Sequence, residues 1–249
     1  MMPGPVAAFF VWLNDRTGLN FSVFTDSYDG SRFLTGLVTT VELSLLCMVF
    51  SILLGLLGVW LLGVGGVWRA IVRGYVQAFR NTPPLVQLAF FYFALGGLLP
   101  TVGDGHGGQM PLVGGFGWAV VSFSLFAGAF NVEIFRAGIE AVPQAMIEAA
   151  DSLGYTKAQL YRHVLVPLGL RICLPSLTNN LVNLVKTTTL AYAIAVPELL
   201  YAAAQIWSEV MNVREMMDLL LVVYIALVAL LVWLMERWER ALRVPGYTP

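Results

Sequence analysis

The chain has 249 residues, of which 58% are hydrophobic and only 12% are charged. A soluble globular domain carries about a quarter charged residues, so this composition excludes one. Together with long apolar runs, it predicts an all-α integral membrane protein. The formal net charge of −1 argues against the basic surface that nucleic-acid binding needs, so no nucleic-acid partner is expected.

Apolar runs predict five transmembrane helices after a short N-terminal segment. In residues 1–32 the apolar run is too short to cross a bilayer, so we expect a periplasmic segment at the membrane surface. Residues 33–246 are expected to form one five-helix transmembrane domain, surrounded by membrane lipid. The spans are predicted at 33–62, 85–99, 113–135, 172–196 and 216–235.

Two further segments are predicted to be helical without crossing the membrane. Residues 68–79 place Arg69 and Arg73 off an apolar stripe, which predicts an interfacial helix or the wet end of the second span. Residues 197–215 are predicted to form a re-entrant or surface helix that begins at Pro197.

The basic residues predict the orientation of the chain. With the N-terminus outside, ten Lys and Arg residues lie on the cytoplasmic side and three lie outside, which satisfies the positive-inside rule. The C-terminus is then cytoplasmic. The ten are Arg69, Arg73, Arg80, Arg136, Lys157, Arg162, Arg171, Arg237, Arg240 and Arg243, and the three are Arg16, Arg32 and Arg214.

A polar island at about 143–167 separates the third and fourth spans. Pro143 suits the first turn of a short helix, and Gly154 suits the left-handed residue that follows a helix end. Thr156, with Gln159 three residues later, predicts a capping box that starts a second helix. The island is therefore expected to form a helix, a glycine turn and a helix on the cytoplasmic side, where it can dock onto a soluble partner.

The fourth predicted span carries a polar stripe. An ionisable residue inside a span costs roughly 2.5–3.5 kcal/mol on insertion scales, so this face should look into the protein or a water-filled path. We interpret the stripe as a transport path, and hydrogen bonds between helices are the alternative. Its members recur at steps of three and four: Ser176, Asn179, Asn183 and Lys186, followed by Thr187.

Other polar residues in the spans have more than one interpretation or a local one. Glu42, in the middle of the first span, pairs with a cation such as Lys186, contributes to an ion or substrate site, or stays neutral at an interface. Gln87 lines the path or makes a buried hydrogen bond between helices. Glu133 and Arg136 are three residues apart, which favours a local ion pair.

Several motifs are absent from the sequence. It contains no Gly-Lys dipeptide, so no Walker A loop is present to bind ATP. No nucleophile–base motif stands out, and His106 and His163 lack metal-ligand spacing, so we expect no catalytic residue, metal site or bound cofactor. The small size and lack of an internal repeat predict half of a transporter, which dimerises and takes its energy from a soluble partner.

Four blocks of sequence, in order along the chain, carry a family resemblance. They are FRNTPPLVQ at 79–87, VEIFRAG at 132–138, the block Glu148-Ala149-Ala150 with Gly154 and Pro167 beyond it, and KTTTL at 186–190. Together they resemble the permease subunits of bacterial ABC importers of the polar amino acid uptake type, and the third block resembles their EAA loop. Asn81 and the VPG sequence at 244–246 are similar to the glutamate/aspartate branch.

The resemblance implies partners and roles. Glu148, Ala149, Ala150, Gly154 and Pro167 would couple the chain to a cytoplasmic ABC ATPase dimer, which holds ATP and Mg²⁺ and hydrolyses the ATP. A periplasmic binding protein would deliver an amino acid, with glutamate or aspartate suggested by the branch. A second permease subunit, identical or homologous, would complete the path in the bacterial inner membrane. Thr187 stands where relatives often have Asp or Asn, which bears on substrate preference.

Two other functions compete with a permease subunit. One is a stand-alone ion-coupled carrier or channel that uses Glu42 and Lys186. The other is a membrane scaffold whose cytoplasmic segment only recruits a soluble protein.

Overall fold

The structure of the protein, a computed structural model, describes residues 4–103 and 108–242. These residues are mostly helical. The helices are α1 (Pro5–Thr17), α2 (Ser22–Thr25), α3 (Ser27–Val64), α4 (Gly66–Arg80), α5 (Pro84–Ala89), α6 (Gly115–Glu140), α7 (Gln144–Ser152), α8 (Lys157–Leu160), α9 (Val166–Thr187), α10 (Leu199–Val210) and α11 (Val213–Leu242). Wider π turns lie at Phe90–Leu95, after α5, and at Tyr161–Leu165, after α8. Tighter 3₁₀ turns lie at Gly96–Leu98 and, after α9, at Thr188–Ile194.

Four helical stretches in the described residues are long and apolar enough to cross a membrane. They overlap the first, third, fourth and fifth predicted spans. The second predicted span corresponds to a shorter apolar helix at Pro84–Leu98. It begins as a separate helix because Pro83 and Pro84 cannot donate the backbone hydrogen bonds that would continue α4. The four long stretches are Ser27–Val64, Gly115–Glu140, Lys157–Ile194 and Val213–Arg240.

The fourth span begins earlier than the sequence predicts, because the second helix of the polar island continues directly into it. The stretch is helical from Lys157, whereas the span was predicted to begin at residue 172. Pro167 and Pro175 lie inside α9 and do not interrupt it. The π turn at Tyr161–Leu165 widens the helix just before Pro167, which accommodates the proline ring and its missing N–H.

Smaller differences concern the loops. The glycine-rich loop after the second span contains two short antiparallel strands, β1 (Thr101–Gly103) and β2 (Gln109–Pro111), with Val102 opposite Met110. The helix of the first span begins at Ser27, ahead of the predicted boundary at residue 33. The VPG sequence at 244–246 lies outside the described residues.

The chain divides into two compact units. The first contains the described parts of 1–46, 88–121 and 185–229. Polar contacts hold its N-terminal segment to the start of α11: the Asn20 N–H donates to the Glu215 carboxylate at 3.0 Å, and the Asn212 amide donates to the Asn20 carbonyl at 2.9 Å. Its apolar core consists of Val23, Phe33, Leu199, Ala203, Ile206, Met216 and Leu220.

The second unit contains the described parts of 47–87, 122–184 and 230–249. Val72 and Val76 of α4 pack with Val132 of α6 in a small buried core. The buried Asn180 amide of α9 donates to the Asn131 side chain of α6 at 2.8 Å. A hydrogen bond of this kind links two helices where lipid offers no competing partner.

Helices α6 and α9 approach closely at two glycines that flank the polar island. A Cβ atom at Gly138 would lie 2.5 Å from the Gly169 carbonyl oxygen and 2.8 Å from the Cys173 Cβ. A Cβ atom at Gly169 would lie 3.0 Å from the Ile139 Cα. Because both helices lead into the island, this contact fixes where the island begins and ends.

We expect Gly138→Ala to destabilise the folded chain by about 1–3 kcal/mol, because the added methyl group overpacks the contact with α9. Thermal unfolding of the purified protein in detergent measures this. Gly74→Ala is the matched control, since a Cβ atom there has no neighbour within 4 Å. Equal unfolding temperatures for the two variants would contradict the close contact.

Candidate functional site

The polar island has the predicted helix–turn–helix form. Helix α7 occupies its first part, and Pro143 precedes that helix as its N-cap instead of lying in the first turn. Gly154 has a φ of 77°, which is the left-handed conformation predicted for it. The Tyr155 N–H then donates to the Ala150 carbonyl at 3.1 Å, which satisfies a carbonyl at the helix end.

A capping box starts the second helix of the island, as predicted. The Gln159 N–H donates to the Thr156 hydroxyl oxygen at 3.3 Å, and the Thr156 N–H donates to the Gln159 side chain at 2.8 Å. Pro167 lies at the second position of α9, so it neither ends the helix nor adds to the exposed turn. Pro167, one of the residues expected to couple the chain to the ATPase, therefore lies in the helix that follows the turn.

The EAA residues of the island differ in exposure. Glu148 and Ala149 are exposed and available to a partner. Ala150 is only 4% exposed, because it faces the interior of the chain. Ala150, one of the residues expected to couple the chain to the ATPase, therefore does not present its side chain to a partner; its small size permits packing within the chain.

Two exposed apolar residues of the island were not singled out in the sequence. Leu153 is 76% exposed and Met146 is 42% exposed. With Ala149 between them they are spaced three and four residues apart, so they form one ridge along α7 and its C-cap. Apolar residues at helical spacing within a polar segment are the signal that could have identified this ridge.

The polar stripe of α9 is exposed. Ser176, Asn179 and Asn183 are exposed in the second unit. Lys186, in the first unit, is exposed as well, and Thr187 is partly buried. The rest of the described chain therefore does not cover this face. A polar face of a spanning helix needs a protein or water environment, so a single chain leaves it incomplete.

Glu42 is also exposed, in the middle of α3. Within the described residues no salt bridge joins it to Lys186. The interpretation in which these two residues pair within one chain is therefore wrong. Glu42 remains a carboxyl group exposed on an apolar helix, where it needs a polar partner outside this chain.

Gln87 has a local role in place of the predicted path-lining one. It is 8% exposed, and its amide nitrogen donates to the Phe79 carbonyl at 2.9 Å and to the Thr82 hydroxyl at 2.7 Å. These bonds close the turn between α4 and α5. A side chain used in this way has no amide donor left for a substrate.

Arg136 forms the predicted ion pair with Glu133 and adds a second one. Its guanidinium contacts the Glu133 carboxylate at 2.7 Å and the Glu140 carboxylate at 2.7 Å. Arg80 lies 3.9 Å from Glu133. The end of α6 that leads into the polar island is thus held by a charge network.

Glu198 is a fully buried carboxyl group that the sequence interpretation did not single out. It is the N-cap of α10 and accepts hydrogen bonds from the N–H groups of Leu200 at 2.9 Å and Tyr201 at 2.8 Å. The Tyr224 hydroxyl donates to it at 3.2 Å. An acidic residue directly before an apolar helical pattern is the signal for such a cap.

Burial raises the pKa of the Glu198 carboxyl above its ordinary value of 4.5, against the opposing effect of its hydrogen-bond donors. A raised folded-state pKa means that the stabilising contribution is complete below the unfolded pKa and is lost as the pH rises through the folded one. We therefore expect the unfolding temperature of the protein to fall, relative to that of Glu198→Gln, as the pH rises from acidic to neutral. A difference between the two that does not change with pH would show that Glu198 does not titrate in this way.

Residues 48–244 match the family model described as "Binding-protein-dependent transport system inner membrane component". The glutamate/aspartate import permease protein GltJ of Escherichia coli (strain K12) is 28% identical over 215 residues, which are 85% of this chain and 87% of that protein. The L-cystine transport system permease protein TcyB of Bacillus subtilis (strain 168) is 32% identical over 191 residues, which are 76% of this chain and 74% of that protein.

The fold is similar to that of a chain in a crystal structure of an amino acid ABC transporter with histidines. The TM-score is 0.73 at 26% sequence identity, and the match covers 93% of this chain and 98% of that chain. The two relatives are named for different amino acids, glutamate and aspartate for one and L-cystine for the other.

Proposed function

Because the chain belongs to the family of binding-protein-dependent transport system inner membrane components and is a permease subunit of an ABC amino acid importer, we propose that it passes an acidic amino acid, glutamate- or aspartate-like, across the bacterial inner membrane. The observation that carries the proposal is the exposed polar stripe of α9 with Lys186 as its cation. A cation there attracts a carboxylate. The similarity to the glutamate/aspartate permease supports the acidic class.

The chain draws its energy from a cytoplasmic ABC ATPase dimer that docks on the polar island. The ridge of Met146, Ala149 and Leu153 supplies an exposed apolar contact, and Glu148 supplies an exposed charge beside it. Apolar anchors that enter a pocket carry most of the energy of such interfaces. ATP and Mg²⁺ are held by the ATPase, and this chain contributes no catalytic residue.

A second permease subunit, identical or homologous, covers the polar stripe of α9. Leaving Lys186 against lipid would cost roughly 2.5–3.5 kcal/mol, and a facing subunit with a water-filled path removes that cost. Thr187 then faces the path beside Lys186, and Asn179 and Asn183, which are exposed in the second unit, are also covered by that subunit. Glu42, on α3, is a further residue that a facing subunit would have to satisfy.

The topology of this subunit has five spans, with Pro84–Leu98 as the second. The N-terminal segment is periplasmic and the C-terminus is cytoplasmic, as the bias of basic residues predicts. A periplasmic binding protein delivers the amino acid to the outer face. In this orientation the polar island is exposed to the cytoplasm.

We expect Leu153→Asp to weaken retention of the ATPase by at least about tenfold, because it places a charge at an apolar anchor. Co-purification of the ATPase measures this effect.

Gly154→Asp should uncouple transport by adding a charge at the turn while the chain stays folded. ATP-driven uptake in vesicles measures this second effect. Met211→Asp is the matched control, since Met211 is 83% exposed but lies in the loop before α11. Normal uptake by both island variants would overturn the assignment of this docking surface.

We expect Lys186→Ala to reduce uptake of glutamate or aspartate by about tenfold or more, because the path loses its cation, while the ATPase still co-purifies. Lys186→Arg, which keeps the charge, should retain part of the uptake. Arg214→Ala, at an exposed position outside the stripe, is the control for a lost positive charge. Loss of the ATPase subunit from Lys186→Ala complexes would show that Lys186 is structural.

Uptake of a panel of amino acids by the reconstituted complex tests the whole proposal. Uptake that requires ATP and the ATPase, and that prefers acidic amino acids, is the expected result. Flux by this chain alone, driven by a proton or sodium gradient, would instead support a stand-alone carrier.

A further inference from the structure

A cleft of about 750 Å³ lies in the second unit, between the ends of α3 and α6, helix α4 and the π turn after α8. Arg69, Arg73 and Gln77 are spaced four residues apart on α4, so one face of that helix lines the cleft. Arg136 and its two glutamate partners line it from α6. Neither the transport path nor the docking ridge uses this cleft.

The charges in the cleft are unequally paired. Both carboxylates are engaged by Arg136, at 2.7 Å each. Arg69 and Arg73 have no salt bridge within the described part of the chain. The Arg69 side chain donates to the Leu62 carbonyl at 3.4 Å, which uses one of its five N–H groups. Three arginines against two glutamates leave one net positive charge and many unused donors.

The exposed apolar residues of α4 lie on the side of the helix opposite the cleft and indicate what surrounds the helix. Val67 is 67% exposed, Trp68 is 47% exposed and Ile71 is 54% exposed, all on the turns that carry Arg69 and Arg73. An amphipathic helix with tryptophan on its apolar side and arginine on its polar side is typical of the boundary between lipid headgroups and acyl chains. This helix therefore matches a ligand that is itself charged at one end and apolar at the other.

We propose that the cleft binds the headgroup of an anionic phospholipid, with its phosphate on Arg69 and Arg73 and its acyl chains in the lipid around α4. Arginine forks match phosphate oxygens, and basic pockets between spanning helices are suited to anionic headgroups. Because α4 has the character of a helix at the membrane boundary, the headgroup of a surrounding lipid can reach these arginines without leaving the membrane, which favours a lipid over a soluble phosphate or nucleotide. The site goes beyond the proposed function, because its ligand is a component of the membrane and not the transported amino acid.

The test measures lipid binding by the full-length chain purified in detergent, without ATP, ATPase or amino acid. Retained lipid is counted by native mass spectrometry after incubation with phosphatidylglycerol or phosphatidylcholine. We expect preferential retention of phosphatidylglycerol. The double variant Arg69→Gln/Arg73→Gln should lower its affinity about 25-fold, at roughly fivefold for each arginine. Arg69→Lys/Arg73→Lys, which keeps both charges, should lose much less.

The matched control is Arg237→Gln/Arg240→Gln, which removes two exposed positive charges of α11 outside the cleft and should leave retention unchanged. An equal loss in this control would overturn the site, as would unchanged retention in the cleft variant. Displacement of the lipid by inorganic phosphate at equal concentration would show a soluble-phosphate site and also overturn it. If the double variant does not fold, Arg73→Gln alone should still show a roughly fivefold loss. Transport failure has no bearing on these measurements, so the two proposals fail separately.

Discussion

The close contact between Gly138 of α6 and Gly169 of α9 is the constraint on which the polar island depends. In lipid the hydrophobic effect does little to drive helices together, so close van der Waals packing at small residues has to do so. Here the packing occurs at the two points where the chain enters and leaves the polar island. The hydrogen bond between Asn131 and Asn180 links the same two helices at another level. The exposed ridge of α7 is thus presented by a rigid base.

The polar groups of this chain are of two kinds. Some are satisfied within the chain and hold its fold, such as the Asn131–Asn180 pair and the Glu198 cap of α10. Others, such as Lys186 and Glu42, lie on exposed faces of spanning helices. The second kind is unfavourable against lipid, so it points to a surface that is completed by another subunit or by water and substrate. A single chain therefore leaves these polar groups uncovered on membrane-facing helices.

Local spacing predicted the features that depend on neighbours in sequence. The capping box of Thr156 and Gln159, the left-handed Gly154 and the Glu133–Arg136 pair are all of this kind. The burial of Ala150 was not predictable, because it depends on packing that no local pattern records. The Asn131–Asn180 bond joins residues 49 positions apart. The continuous helix through Pro167 required a π turn, for which no sequence rule was available.

The uninterrupted helix from the capping box into the span has a mechanical consequence. Within the second unit it runs from Lys157 to Leu184, and Gly169 lies near its middle, held against α6. Over this length of about 40 Å, at 1.5 Å per residue, it is held against α6 at two levels, by the glycine contact and by the Asn131–Asn180 bond. A displacement of the turn at Gly154 would therefore carry α6 and α9 together as one body, instead of bending one helix away from the other.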